Sequence, residues 1–105
     1  MSEDFSREIR KLKVRVEDYL KEEEKFVSKL KNCLGKFTEL NNRLERSKMS
    51  SADMENLMRL RLETVQAFSE ALKSQSMAEH ERSHLLESYG ALVLSLEKEF
   101  RALEA

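Results

Sequence analysis

Apolar residues recur alternately four and three positions apart through the first half of the chain. Glu23 is the only charged residue in this row, which otherwise carries apolar or nearly apolar side chains. This spacing is the a/d pattern of a coiled coil, in which one face of a helix packs along another helix. It predicts a long helix over about residues 3–47 with a seam made of Phe5, Ile9, Leu12, Val16, Tyr19, Glu23, Phe26, Leu30, Cys33, Phe37, Leu40 and Leu44.

The same spacing continues in the second half and predicts a second helix over about residues 53–104. Its row is apolar at both ends and polar in the middle. The polar segment 73–76 leaves open a break near residue 75, which would give three helices. Since it contains neither glycine nor proline, we favour one continuous or kinked helix. The row reads Met58, Arg61, Val65, Phe68, Leu72, Gln75, Glu79, Arg82, Leu86, Tyr89, Val93, Leu96, Phe100 and Leu103.

A serine-containing segment between the two rows predicts a turn over about residues 48–52. If the chain folds back there, Phe37 comes level with Val65 and Glu23 comes beside Glu79, within a turn of Arg82. The polar interruptions of both rows then coincide, which matters because a charge left against an apolar partner costs several kcal/mol. The sequence therefore predicts an all-α antiparallel hairpin of two long coiled-coil-like helices, forming a single domain over residues 1–105.

Apolar residues beyond the two seams predict further packing. Leu20, Val27 and Leu34 form a second stripe on the first helix, and residues 85–96 are apolar around more than half of the second helix. A helix with so wide an apolar face needs more than one neighbour. A second copy would supply it in a four-helix bundle, and a different helical subunit would serve equally. The predicted partner-binding residues are Leu20, Val27, Leu34, Leu85, Leu92, Val93, Leu96 and Phe100.

Composition agrees with an elongated helical protein. The 105 residues are 40% hydrophobic and 37% charged, with no proline and two glycines, whereas an ordinary domain is about 25% charged. A net charge of −1 gives no overall attraction to nucleic acid, so none is expected as a partner. The single cysteine, Cys33, lies in the seam as an apolar residue and mildly favours an intracellular location, cytoplasmic or nuclear.

The sequence offers little for catalysis or metal binding. His80 and His84 share one helical face at i, i+4 spacing, but a zinc site needs three or four ligands. There is no HExxH pattern, no glycine-rich phosphate loop and no recognisable nucleophile. We therefore expect no metal, no cofactor and no enzymatic activity.

Charge is distributed unevenly. Residues 25–61 carry nine basic and four acidic side chains, a net charge of +5, which leaves −6 on the remainder. A basic hairpin tip is formed by Arg43, Arg46, Lys48, Arg59 and Arg61. These cations either solvate the helices or bind an anionic surface.

Long helices with a basic tip are similar in coarse shape to the membrane-shaping BAR modules, of which this chain has about half the protomer length. The resemblance implies membrane association as the alternative function. The expectation that the seams favour is a non-catalytic helical interaction or scaffold module, a subunit of a larger assembly.

Overall fold

Two long helices account for the fold. The computed structural model of the chain describes residues 3–48 and 50–104, in which α1 spans Glu3–Arg46 and α2 spans Ser51–Glu104. The helices pack against each other as an antiparallel hairpin, and the described residues contain no strand. The predicted all-α hairpin is confirmed. α2 runs without interruption through residues 73–76, so the alternative of three helices is wrong.

Side chains in the turn set the start of α2. The hydroxyl of Ser50 accepts a hydrogen bond from the backbone N–H of Asp53 at 3.2 Å, so Ser50 is the N-cap. The Asp53 carboxylate in turn accepts one from the backbone N–H of Lys48 at 3.1 Å. That bond, with the Ser50 hydroxyl second, lowers the pKa of Asp53. α2 therefore begins two residues before the predicted position. Residue 49, within the predicted turn, lies outside the described residues.

The chain divides into two compact units, and each unit contains a segment of both helices. The tip unit comprises residues 24–76, and the open unit comprises residues 3–23 with residues 77–104. In each unit the core lies between α1 and α2. The side chains that form it follow a different pattern on each helix.

On α1, every seventh residue faces α2. The residues four positions after the first three members of this row are half-buried, as predicted for the seam; they are Ile9, Val16 and Glu23. In the tip unit the corresponding side chains are 46–56% exposed, which corrects their assignment to the seam; they are Leu30, Phe37 and Leu44. In the tip unit, α1 is rotated about its own axis, so that side chains on the other side of the row, such as the half-buried Lys36, face α2. The row itself, buried or half-buried throughout, is Phe5, Leu12, Tyr19, Phe26, Cys33 and Leu40.

On α2, the seam is shifted by one residue from the predicted row. The predicted members Val65, Phe68 and Leu72 are exposed, whereas the residues just before them are buried. Those residues are small, and small side chains allow two helices to approach closely and to gain dispersion contacts along their length. The observed seam is Leu57, Leu60, Thr64, Ala67, Ala71, Ser74, Ala78, Glu81, Leu85, Ser88, Leu92, Ser95 and Glu99, all buried or half-buried.

An ion pair joins the two helices in the tip unit and shows their register. The ammonium of Lys36 lies 3.3 Å from a carboxylate oxygen of Glu63. This alignment is within one helical turn of the predicted register. Because both side chains remain partly exposed, the pair contributes at most about 1 kcal/mol. The small-residue seam, rather than this ion pair, therefore dominates the packing.

Candidate interaction surface

Most of the large apolar side chains that are exposed on α2 occupy regularly spaced positions, which follow one rule. Each comes directly after a buried or half-buried residue, as Phe68 follows Ala67 and Val93 follows Leu92. They form two neighbouring rows along the helix rather than scattered positions. The exposed residues that obey the rule are Met54, Met58, Val65, Phe68, Leu72, Leu86, Tyr89, Val93, Leu96 and Phe100.

The same rule holds on α1. Leu20, Val27 and Leu34 each follow a residue of the buried row by one position. The exposed Leu30, Phe37 and Leu44 follow a residue of that row by four positions. Since steps of one and four residues rotate a helix by about 100° and 40° in the same sense, all six side chains lie to the same side of the α1 seam.

In each unit, the exposed rows of the two helices lie on one side of the helix pair. Residues that follow the seam turn clockwise on one helix and anticlockwise on its antiparallel neighbour when both are viewed along the same axis. The two displacements therefore converge on a common side. We call this side the apolar face. In the tip unit it comprises Val27, Leu30, Leu34, Phe37, Leu44, Met54, Met58, Val65, Phe68 and Leu72; in the open unit it comprises Leu20, Leu86, Tyr89, Val93, Leu96 and Phe100.

The opposite side, the polar face, consists of positions that come just before a seam residue. Most are charged or amide side chains, for example Asp18, Asn32, Gln66 and Lys73. Exposed apolar exceptions there are Met77 and Leu94. The hairpin is thus amphipathic across its thickness in both units.

Most of the predicted partner-binding residues lie on the apolar face. Leu85 and Leu92 do not, because they are half-buried seam residues between α1 and α2. The apolar face also contains Val65, Phe68 and Leu72, which were predicted to lie in the seam. The row of alanine, serine and threonine from Thr64 to Ala78 is the sequence signal that would have revealed the shift. The predicted residues on the apolar face are Leu20, Val27, Leu34, Val93, Leu96 and Phe100.

In the open unit the α2 seam is more polar than the exposed face. Glu81, Ser88 and Ser95 occupy seam positions, while Tyr89 and Leu96 directly after two of them are exposed. One carboxylate oxygen of Glu81 is buried and makes no hydrogen bond to the described residues. A buried polar group without a hydrogen bond lowers the free energy of unfolding by about 1–3 kcal/mol. The α2 seam of this unit therefore buries less apolar surface than that of the tip unit, where Leu60, Ala67 and Ala71 are buried.

A tyrosine donates a hydrogen bond to Glu23, the one charged residue of the predicted α1 row. The Tyr19 hydroxyl donates a hydrogen bond to the Glu23 carboxylate, and this bond raises the pKa of Tyr19. The positive charge of Arg82 acts in the opposite direction and lowers it, which indicates that Arg82 lies near the pair. The predicted polar layer thus forms around Tyr19. Direct pairing of Glu23 with Arg82 stays a prediction.

The two histidines interact with each other. Their Nε2 atoms are 3.0 Å apart, with the rings edge to face. A carboxylate oxygen of Glu87 lies 3.9 Å from Nδ1 of His84. Across residues 3–48 and 50–104, no group of three or more histidine, cysteine or acidic side chains is placed to hold a metal ion.

The predicted basic tip carries mixed charge. Arg43 lies 3.7 Å from the Glu39 carboxylate, and Nε of Arg46 donates to a backbone carbonyl on α1 at 3.3 Å. Arg59 donates to the Asn56 side chain at 3.0 Å. Lys48 and Arg61, the other two predicted tip residues, are exposed. The surface depressions beside Arg43 are also lined by Glu39, Asp53 and Glu63.

Comparison with known proteins gives no functional lead. No protein-family model, curated protein or solved structure matches the chain. Neither helix, over its described length, has an apolar stretch that could cross a membrane. Function is therefore inferred from the chemistry of the surfaces.

Proposed function

We propose that this chain is a non-catalytic helical interaction module, a subunit of a larger assembly, and that it acts by packing its apolar face against helices of a partner. One observation carries the proposal: within each unit, most of the exposed large apolar side chains of the two helices lie on one side of the helix pair. This is the geometry of a helix layer that is covered by a second layer.

The energetics of the face support this role. Fully burying a valine, leucine, phenylalanine or methionine side chain contributes about 1.5–3 kcal/mol. The apolar face of the tip unit alone contains ten such side chains that are partly exposed, including Phe37, Val65 and Phe68. Contiguous apolar patches on this scale are rare on monomers and mark interaction sites. Coiled-coil-like packing by a partner would place these side chains between helices and leave the polar face in water.

Membrane association through the basic tip is the alternative, and the tip chemistry favours it less. Anionic headgroups attract a cluster of free cations. Here Arg43 and Arg59 already interact with neighbouring side chains, and carboxylates from Glu39, Asp53 and Glu63 line the same surface. These negative charges weaken the attraction that the arginines provide.

The test compares two triple variants with the wild-type chain. The first replaces Leu34, Phe68 and Val93 on the apolar face by serine, and the matched control makes three serine substitutions on the polar face, at Asn32, Gln66 and Lys73. Circular dichroism establishes that both variants remain helical. Proteins captured from an extract of the source cells are then quantified for each.

We expect the wild-type chain and the control to retain the same proteins, and the apolar-face variant to lose them. Identical capture by all three chains would contradict the proposal. In a parallel assay the chains are pelleted with vesicles of anionic lipid. Pelleting that depends on Arg46 and Lys48, and not on the apolar face, would favour the membrane alternative instead.

A further inference from the structure

We infer that the partner covering the apolar face is a second copy of this chain, with the tip unit of one copy packed on the open unit of the other. The inference rests on the proposed function and adds the partner and its orientation. It depends on two properties of the units: their charge and their apolar faces.

The two units carry opposite net charge. The tip unit contains ten lysines and arginines against seven acidic residues, a net charge of +3. The open unit contains nine against thirteen, a net charge of −4. Pairing tip with tip would bring like charges together, whereas pairing tip with open unit brings opposite charges together. Complementary charge of this kind selects orientation and partner more than it adds affinity.

Both units supply an apolar surface for this contact. Phe37 and Phe68 project from the tip unit's face, and Tyr89 and Val93 project from the open unit's face. A contact of tip on open unit is reciprocal, because a two-fold axis generates the same contact a second time. Each such contact packs the apolar face of one unit against the apolar face of the other, with the helices in two layers.

The experiment measures mass and orientation together. Sedimentation equilibrium at micromolar concentration gives the mass of the wild-type chain. For orientation, Cys33 is replaced by alanine, and single cysteines replace the exposed Glu45 in the tip unit or Glu97 in the open unit. Donor-labelled and acceptor-labelled copies are mixed in urea and refolded together, so that energy transfer occurs only between copies.

We expect a mass of twice 12.3 kDa and stronger transfer from Glu45→Cys to Glu97→Cys than from Glu45→Cys to itself. The dimer should weaken as salt rises, because its charges are screened. Phe68→Ser and Val93→Ser should each raise the dimer Kd about tenfold or more, and Lys73→Ser should not.

A dimer with the reverse order of transfer efficiencies would overturn the inferred orientation. A monomer of 12.3 kDa would overturn the inference that the partner is a second copy. Neither result would remove the proposed function, since a different helical protein could still bind the apolar face. That function fails only if the apolar-face variant captures the same proteins as the wild-type chain.

Discussion

Replacing Leu60 by alanine tests the observed seam most sharply, because the chain contains a matched control two residues away. Leu60 is 6% exposed in the seam and Leu62 is 69% exposed on the outer side of the same helix. Leucine and alanine have similar helix propensities, so the two variants differ mainly in the burial of the side chain that is removed. A difference between them therefore reports packing.

The expected magnitude follows from the atoms removed. Leu60→Ala deletes three carbon atoms, worth about 0.8 kcal/mol each when buried, and leaves a cavity that adds to the loss. A seam between two helices can partly close, so we expect a loss of about 2–3 kcal/mol in the free energy of unfolding. Leu62→Ala should change it by less than about 0.5 kcal/mol.

Urea denaturation followed by circular dichroism measures both values at one protein concentration. The midpoint for Leu60→Ala should fall by about 1–2 M, and the midpoint for Leu62→Ala should stay close to that of the wild-type chain. Equal losses from the two variants, or a larger loss at Leu62, would refute the observed seam and its one-residue shift from the predicted row.

Three further measurements test individual features. A methyl group added at Gly90 would contact nothing within 4 Å, so Gly90→Ala should stabilise the helix by about 0.5–1 kcal/mol in the same urea assay, and a loss would show that this position is packed. The pKa of Asp53 is lowered on folding. The Asp53 carboxylate therefore stabilises the fold fully above its unfolded pKa of 3.8, and this stabilisation is lost as the pH falls through the folded pKa. Asp53→Asn should reduce the fall in the free energy of unfolding at acid pH, and an unchanged fall would contradict the role of Asp53 in the turn. With Tyr89 replaced by phenylalanine, ultraviolet titration should show Tyr19 ionising above its usual pKa of 10.0, and Glu23→Gln should move that pKa back toward the usual value, whereas no movement would argue against the hydrogen bond.

The sequence was sufficient to predict the hairpin and the turn. Alternating three- and four-residue spacing and the absence of proline predict long helices, and Ser50 with Asp53 supplies the cap at the turn. These signals are local, because each depends on residues within one or two turns of helix. Local patterns also predicted the seven-residue row from Phe5 to Leu40 correctly.

The rotation of α2 about its own axis could not be predicted from hydrophobicity. Its large apolar residues form one row and its alanines, serines and threonines form the next, and a hydrophobic pattern favours the larger residues as the seam. The structure buries Thr64, Ala67 and Ala71 instead. Close approach of two backbones is a tertiary property, and it depends on how small residues on one helix match larger ones on the other.

The same rotation explains why the candidate surface was predicted only in part. Leu20, Val27 and Leu34 were identified because they lie outside the α1 row under any assignment. Val65 and Phe68 were not, because the assignment of α2 placed them inside the hairpin. A surface formed by two helices requires the rotation of both, which the sequence of either helix alone does not determine.

Hydroxyl-radical footprinting of the assembled protein reports which side chains a partner covers, and it therefore tests whether the apolar face is the interaction surface. Phe68 and Tyr89 represent the apolar face, and the exposed Met77 and Leu94 on the polar face are internal controls. As the protein is concentrated from the monomeric to the assembled state, oxidation of Phe68 and Tyr89 should fall while that of Met77 and Leu94 stays constant. Protection of Met77 and Leu94 instead, or assembly without protection of Phe68 and Tyr89, would contradict the account.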